Sequence, residues 1–135
     1  MFSKFIEMLK NAFVFKHLGN ATLQKISYLF KQERHLKGKV LIRKRERSDY
    51  IFFVLKGEVE VRFPYTAYDI EAANASPGGN NFPDVEENIF EFARINEGGY
   101  FNLSSALLKK FSIFEFSVSS KRADLIILNA ADLVL

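Results

Sequence analysis

The 135-residue chain contains no cysteine, which excludes a disulfide framework, a thiolate metal site and a cysteine nucleophile. It has no tryptophan and two histidines, and no apolar run approaches the ~20 residues of a bilayer-spanning helix. His17 and His35 both precede the first expected strand, and neither has a ligand partner at metal-site spacing. No Ser-His-Asp set or catalytic carboxylate pair can be assembled, so the chain is not expected to be an enzyme and no metal or catalytic residue is assigned. Lys4, Glu7 and Lys10 interrupt the apolar residues of the N-terminus, which argues against a signal peptide. A cytoplasmic domain without membrane insertion is the expectation.

What the chain does have is phenylalanine, 15 copies of it. That suggests a large aromatic core with some rings left for an interface. The net charge of +3 mixes both signs, so charge alone implies no polyanion partner. The length fits one domain over residues 1–135.

The first 35 residues are expected to be helical. Phe2, Phe5, Ile6 and Leu9 recur at helical spacing, an apolar knot follows at 13–15, and Leu23, Ile26, Leu29 and Phe30 share a second helical face. Asn20 or Thr22 is the expected cap of that second helix, which is drawn to about residue 34. From residue 36 to 128 the pattern is that of strands. Val40 and Ile42 alternate, 50–55 is a continuous apolar strand, and 58–63 alternates with Val59, Val61 and Phe63 inward. Lys56-Gly57 between the last two predicts a hairpin. Residues 64–88 break this order as a long loop insertion, whose Asn74-Ala-Ser-Pro-Gly-Gly-Asn-Asn81 core is loop by composition. Ser76-Pro77 there is a candidate phosphoacceptor, weighed against a plain solvated linker. Strands resume at 89–95, 114–120 and 125–128. Residues 129–135 predict the first turns of a helix capped by Asn129, so the chain is expected to be part of a longer protein.

Between the later strands lies Gly98-Gly-Tyr-Phe-Asn-Leu-Ser-Ser-Ala-Leu-Leu108. A glycine turn feeding a helix start is a natural anion cradle, because free backbone N–H groups point at the ligand. This stretch resembles the phosphate-binding cassette of the cyclic nucleotide-binding domain family. Gly38-Lys-Val-Leu-Ile-Arg43, Asp49-Tyr-Ile-Phe-Phe-Val-Leu-Lys-Gly57, Glu58-Val-Glu-Val61 and Leu125-Ile-Ile-Leu128 resemble other strands of that family, in the same order. The resemblance covers roughly the whole chain. It implies a mainly β fold: an eight-stranded antiparallel β-roll, jelly-roll-like, with N-terminal helices and a shortened C-terminal helix.

The resemblance also implies a site, formed by Gly98, Gly99, Phe101, Asn102, Leu103, Ser104, Ser105, Ala106, Phe114 and Glu115. In the family a glutamate holds the ribose and an arginine pairs with the phosphate. Here the matching glycine-glutamate pair falls on Asn102-Leu103, and the proline-arginine pair falls near Ile113-Phe114. Glu115 is the sole charge between 111 and 120 and is expected to repel a phosphate. Asn102 and the serines are expected to cap the short helix instead. Lys109 and Lys110 either reach back to a ligand or sit on the solvated helix end, the second being favoured.

The expected function is a regulatory or interaction domain with weakened or lost binding of cAMP or cGMP and no cofactor. The alternative is a working cyclic nucleotide sensor with a non-standard pocket, as in a kinase regulatory subunit or channel. Its expected partner is another protein or the remainder of a larger chain. The basic stretches at 35–39 and 43–47 are read as ordinary strand-edge charges rather than a nucleic-acid site.

Overall fold

The computed structural model describes residues 19–65 and 88–133. The helix expected at 2–9, the knot at 13–15, the loop at 74–81 with Ser76-Pro77, and residues 134–135 lie outside the described residues. In order, the elements are α1 (Asn20–Ser27), β1 (Lys31–Leu36), β2 (Val40–Ile42), β3 (Tyr50–Lys56), β4 (Val59–Tyr65) and β5 (Asn88–Ile95). Then come β6 (Tyr100–Phe101), α2 (Leu103–Leu108), β7 (Glu115–Val118), β8 (Arg122–Asn129) and a 3-10 turn (Ala130–Leu133). Among the described residues the strands form two antiparallel four-stranded sheets, ordered β1-β8-β3-β6 and β2-β7-β4-β5. This is the expected mainly β roll.

The apolar run of β3 has no alternation because both of its faces are covered. Ile51, Phe53 and Leu55 join Leu23 and Ile26 of α1, together with Ile126 and Leu128 of β8. Phe52 and Val54 face the other way, with Leu125 and Ile127 of β8 and Val59, Val61, Phe116 and Val118 of the second sheet. The first sheet is thus a middle layer between the helix and the second sheet. A strand buried on both sides reads as a continuous apolar run, whereas one with a solvated face alternates. The β4 strand does alternate: Val59 and Val61 are buried and Phe63 half-buried.

The second helix is shorter than expected. It ends at Ser27, and residues 31–36 pair with β8 instead. Lys31-Gln-Glu-Arg-His35 has no apolar face to pack as a helix, while the open edge of β8 satisfies its backbone groups as a strand. The roll therefore begins at Lys31 rather than at residue 36. Gly19 holds the N-cap position without a side-chain cap, so Thr22 does not play that part.

Gly57 does not close a hairpin. The strands on either side of it, β3 and β4, belong to different sheets, so the turn is the corner where the chain passes between layers. Its φ is +93°, and a Cβ there would lie 2.5 Å from the Arg122 carbonyl oxygen and 2.8 Å from Ala123 Cα. The corner is tied down by the Glu58 backbone N–H, which donates to Ser120 Oγ at 2.9 Å. Gly57→Ala is expected to cost more than about 1 kcal/mol, since positive φ and a backbone clash act together. Urea unfolding with unchanged m-value would measure it; a neutral effect would contradict this corner.

On the helix-side face of the first sheet, the Asp124 carboxylate is buried and accepts a 2.7 Å hydrogen bond from Arg34 Nε. That hydrogen bond, opposed in part by desolvation, holds the Asp124 pKa below its ordinary value. A carboxyl whose folded pKa is lowered stabilises the fold above its unfolded pKa of ~3.9, and the contribution is lost as pH falls through the folded value. Arg34→Gln is expected to raise the Asp124 pKa in a carboxyl NMR titration and to shrink the stability difference between neutral and acid pH. An unmoved Asp124 titration would refute the assignment.

Candidate functional site

The cassette begins where β5 leaves the second sheet and the chain crosses to β6 in the first. Gly98, at φ +89°, makes the crossing turn. Its N–H donates to the Val54 carbonyl at 2.9 Å, and the Val54 N–H donates to the Gly99 carbonyl at 2.9 Å. A Cβ on Gly99 would lie 2.5 Å from Ile95 Cγ2, so both glycines serve the turn. After Tyr100 and Phe101, Asn102 adopts a left-handed conformation at φ 67° and α2 follows.

Asn102 does not cap that helix, contrary to expectation. Its Nδ2 group reaches outward, donating to the carbonyls of Ser48 at 3.1 Å and Tyr50 at 2.8 Å. At the other end of the cassette, the Ser112 carbonyl accepts from the Arg45 N–H at 2.6 Å, and the Ser112 N–H donates to the Glu46 carbonyl at 2.9 Å. Ser112 is buried, and its hydroxyl donates to the Phe114 carbonyl at 2.7 Å. The polar β2–β3 loop is therefore a brace holding both ends of the cassette. Ser112 and this loop were not among the expected site residues. A small polar residue set between exposed Phe111 and Ile113 is the one sequence signal that marked Ser112.

Within α2, Ala106 is buried, Leu103 packs against the helix-side core, Ser105 is half-buried and Ser104 is exposed. Lys109, left-handed at φ 54°, ends the helix, and the Lys110 N–H donates to the Ser105 carbonyl at 2.9 Å. Both lysine side chains are exposed. Asn129 does act as the expected cap: its Oδ1 accepts from the Ala131 N–H at 3.0 Å, starting the 3-10 turn that packs on α2.

Behind the cassette, between the sheets, lies a stack of phenylalanines. Phe101 lies parallel to Phe52 at 4.8 Å between ring centroids and to Phe116 at 4.5 Å. Phe114 meets Phe116 edge-on at 6.5 Å and stacks on Phe92 at 4.9 Å. All three rings of the central stack are buried. Glu115 is not turned toward the cassette interior. It alternates with inward Phe116 and lies opposite Arg62, whose Nη1 is 3.4 Å from its carboxylate. The expected repulsion of a ligand by Glu115 therefore has no geometric basis.

Among the described residues no set of three His, Asp or Glu side chains is grouped to hold a metal ion. No described helix is long and apolar enough to cross a membrane.

The two-sheet roll with its glycine turn, short helix and closing 3-10 turn matches solved structures over nearly the full chain. The regulatory domain of Toxoplasma gondii PKA with cAMP superposes at a TM-score of 0.73 with 16% identity, over 96% of this chain and 42% of that one. The fold is that of cyclic nucleotide-binding domains. A cyclic nucleotide-binding domain from Methylobacillus flagellatus matches at 0.71 with 16% identity, covering 98% and 63%. The regulatory subunit of a cAMP-independent protein kinase A from Trypanosoma brucei matches at 0.67 with 15% identity, covering 96% and 40%. This chain thus spans less than two thirds of each of these proteins. No protein-family model matches the sequence, and no curated protein is significantly similar to it.

Asn102→Gly keeps the left-handed backbone accessible and removes the bonds to Ser48 of the β2–β3 loop and to Tyr50 at the start of β3. It is expected to cost about 1–3 kcal/mol and to speed amide exchange at Arg45 and Ser112. Unchanged exchange there would show that the brace does not depend on Asn102.

Proposed function

We propose that residues 1–135 form one non-catalytic, cytoplasmic regulatory or interaction domain on the cyclic nucleotide-binding fold, with weakened or lost affinity for cAMP and cGMP. The observation that carries this reading is the buried Phe52–Phe101–Phe116 stack behind the cassette. A cyclic phosphodiester leaving water wants a fixed cation and several N–H donors. The vestigial pocket expected from Gly98, Gly99, Phe101, Asn102, Leu103, Ser104, Ser105, Ala106 and Phe114, with Glu115 facing away beside Arg62, supplies turns and amides but no cation of its own. Leu103 packs into the core, and Phe114 joins the aromatic stack. Glu115 is paired with Arg62. Losing one charge-assisted contact weakens binding by about ten- to a hundredfold, and this pocket lacks two.

The likeness to a cAMP-independent regulatory subunit fits a domain that regulates without this ligand. The interaction role is supported by exposed Phe90 and Phe92 on the edge strand β5 and exposed Ile113 beside Phe114, on which Phe92 stacks. Exposed apolar residues gathered near a strand edge that is unpaired among the described residues favour a partner protein or another part of a longer chain. Calorimetric titration with cAMP and with cGMP is expected to show no saturable binding at micromolar concentration. Micromolar binding of either would overturn the reading and establish a working sensor with a non-standard pocket.

A further inference from the structure

The register of β1 places Lys31, Glu33 and His35 opposite Ile127, Leu125 and Ala123. Those β8 partners belong to the core between the sheets, and directly paired residues in an antiparallel sheet share a face. The inward face of β1 is therefore wholly polar, where the neighbouring strands present Leu, Ile and Phe. It fronts a cavity of about 670 Å³ between β1, β2 and the loop at 43–49, within the size range of small-molecule sites.

The cations around this cavity are not consumed by its carboxylates. Asp49 pairs with Arg47 at 3.8 Å, Glu46 is turned back onto the Arg43 backbone N–H at 2.9 Å and Glu33 lies 3.6 Å from His35, so the lining lysines and arginines Lys31, Lys39, Arg43 and Arg47 outnumber the lining carboxylates Glu33, Glu46 and Asp49 by one. The side chains of Lys31, Lys39 and Arg43 line the same cavity and have no carboxylate partner among the described residues. They come from β1, the β1–β2 turn and the end of β2, so they approach a common space from different elements. Its walls also include Val40, Leu41, Phe52 and Ile127. Converging cations over an apolar wall are the chemistry of a site for an anion that carries a compact apolar body.

We propose that the mouth of the roll between β1 and β2 binds a small organic phosphate, at a site separate from the cassette. Lys31 and Lys39 act as point charges on the phosphate oxygens, and the Arg43 guanidinium adds a planar fork of donors. The apolar wall receives the ester group. A concave space between two strands favours a small molecule over a nucleic-acid backbone, which needs a strip of cations along an open face.

The test is titration of the full chain with phenyl phosphate and with inorganic phosphate, followed by amide NMR shifts. Saturable shifts are expected within 31–50, with phenyl phosphate binding below about 1 mM and more tightly than inorganic phosphate. The double variant Lys31→Gln/Arg43→Gln is expected to weaken phenyl phosphate binding at least about tenfold, with its spectrum otherwise retained. Both side chains are exposed; should that variant fail to fold, Lys39→Gln alone is expected to weaken binding in the same direction. Absence of saturation to about 10 mM, shifts centred on 98–110, equal affinity for both phosphates, or an unaffected variant would each overturn the proposal. So would a duplex oligonucleotide that shifts 31–50 while phenyl phosphate does not. Only shifts centred on 98–110 would also bear on the cassette; the other outcomes leave cAMP and cGMP affinity untouched, and titration with the cyclic nucleotides tests that reading by itself, so the two readings fail separately.

Discussion

The contact of Phe101 with Phe52 on one side and Phe116 on the other fixes the relation between the two sheets. Phe52 belongs to β3 and Phe116 to β7, and Phe101 lies on the two-residue strand just before the cassette. Offset-stacked aromatic pairs contribute about 0.5–1.5 kcal/mol each beyond the area they bury. The larger effect is geometric: close-packed interiors do not deform continuously. With Phe101 held between two rings, the position of Asn102 and the start of α2 follow. The cassette is thus positioned from inside by packing, independently of any ligand.

A second constraint acts from outside. The β2–β3 loop takes its shape from a left-handed Arg45 and from backbone exchange with Ser112, and the Asn102 side-chain amide bonds its Ser48 carbonyl and the adjoining Tyr50 carbonyl of β3. The Asp49 carbonyl also accepts from the Ala130 N–H at 2.8 Å, which joins the 3-10 turn to the same loop. One polar segment therefore touches the cassette at both ends and the C-terminal turn besides. A cassette gripped in this way keeps its form without a bound anion.

The strands were legible where burial has a simple period. The alternation in β4 and the continuous run in β3 mark one layer with a single buried face and one with two. The β1 strand was not legible, because its residues are polar on both faces and only pairing with β8 makes it extended. Propensity and period describe a side chain against its own neighbours, and β1 owes its form to a strand that arrives some ninety residues later. The Gly57 corner misled for a related reason: a tight glycine turn between strands looks the same whether they pair or part. At the cassette, the sequence places no lysine or arginine between 111 and 120. The role of Asn102 was not legible, because a side chain that can cap a helix can equally cross to a neighbouring loop. Glu115 shows the converse limit, since its closeness in sequence to the cassette says nothing of which sheet face it occupies.

The same failure of period in β1 is what gives the roll a polar mouth. An edge strand with Lys31, Glu33 and His35 turned toward the interior cannot extend the hydrophobic core, so the cavity beside β2 stays open to water. Inward-facing charges on an edge strand also discourage a second chain from adding to the sheet. That protective role accounts for charge, but not for a cavity whose lining lysines and arginines, Lys31, Lys39, Arg43 and Arg47, outnumber the carboxylates of Glu33, Glu46 and Asp49, with Lys31, Lys39 and Arg43 lacking a carboxylate partner among the described residues. Protection would be served equally by paired charges, whereas an excess of cations over a concave space is costly unless an anion neutralises it. The asymmetry of pairing, rather than the presence of charge, is what separates a ligand site from a guarded edge.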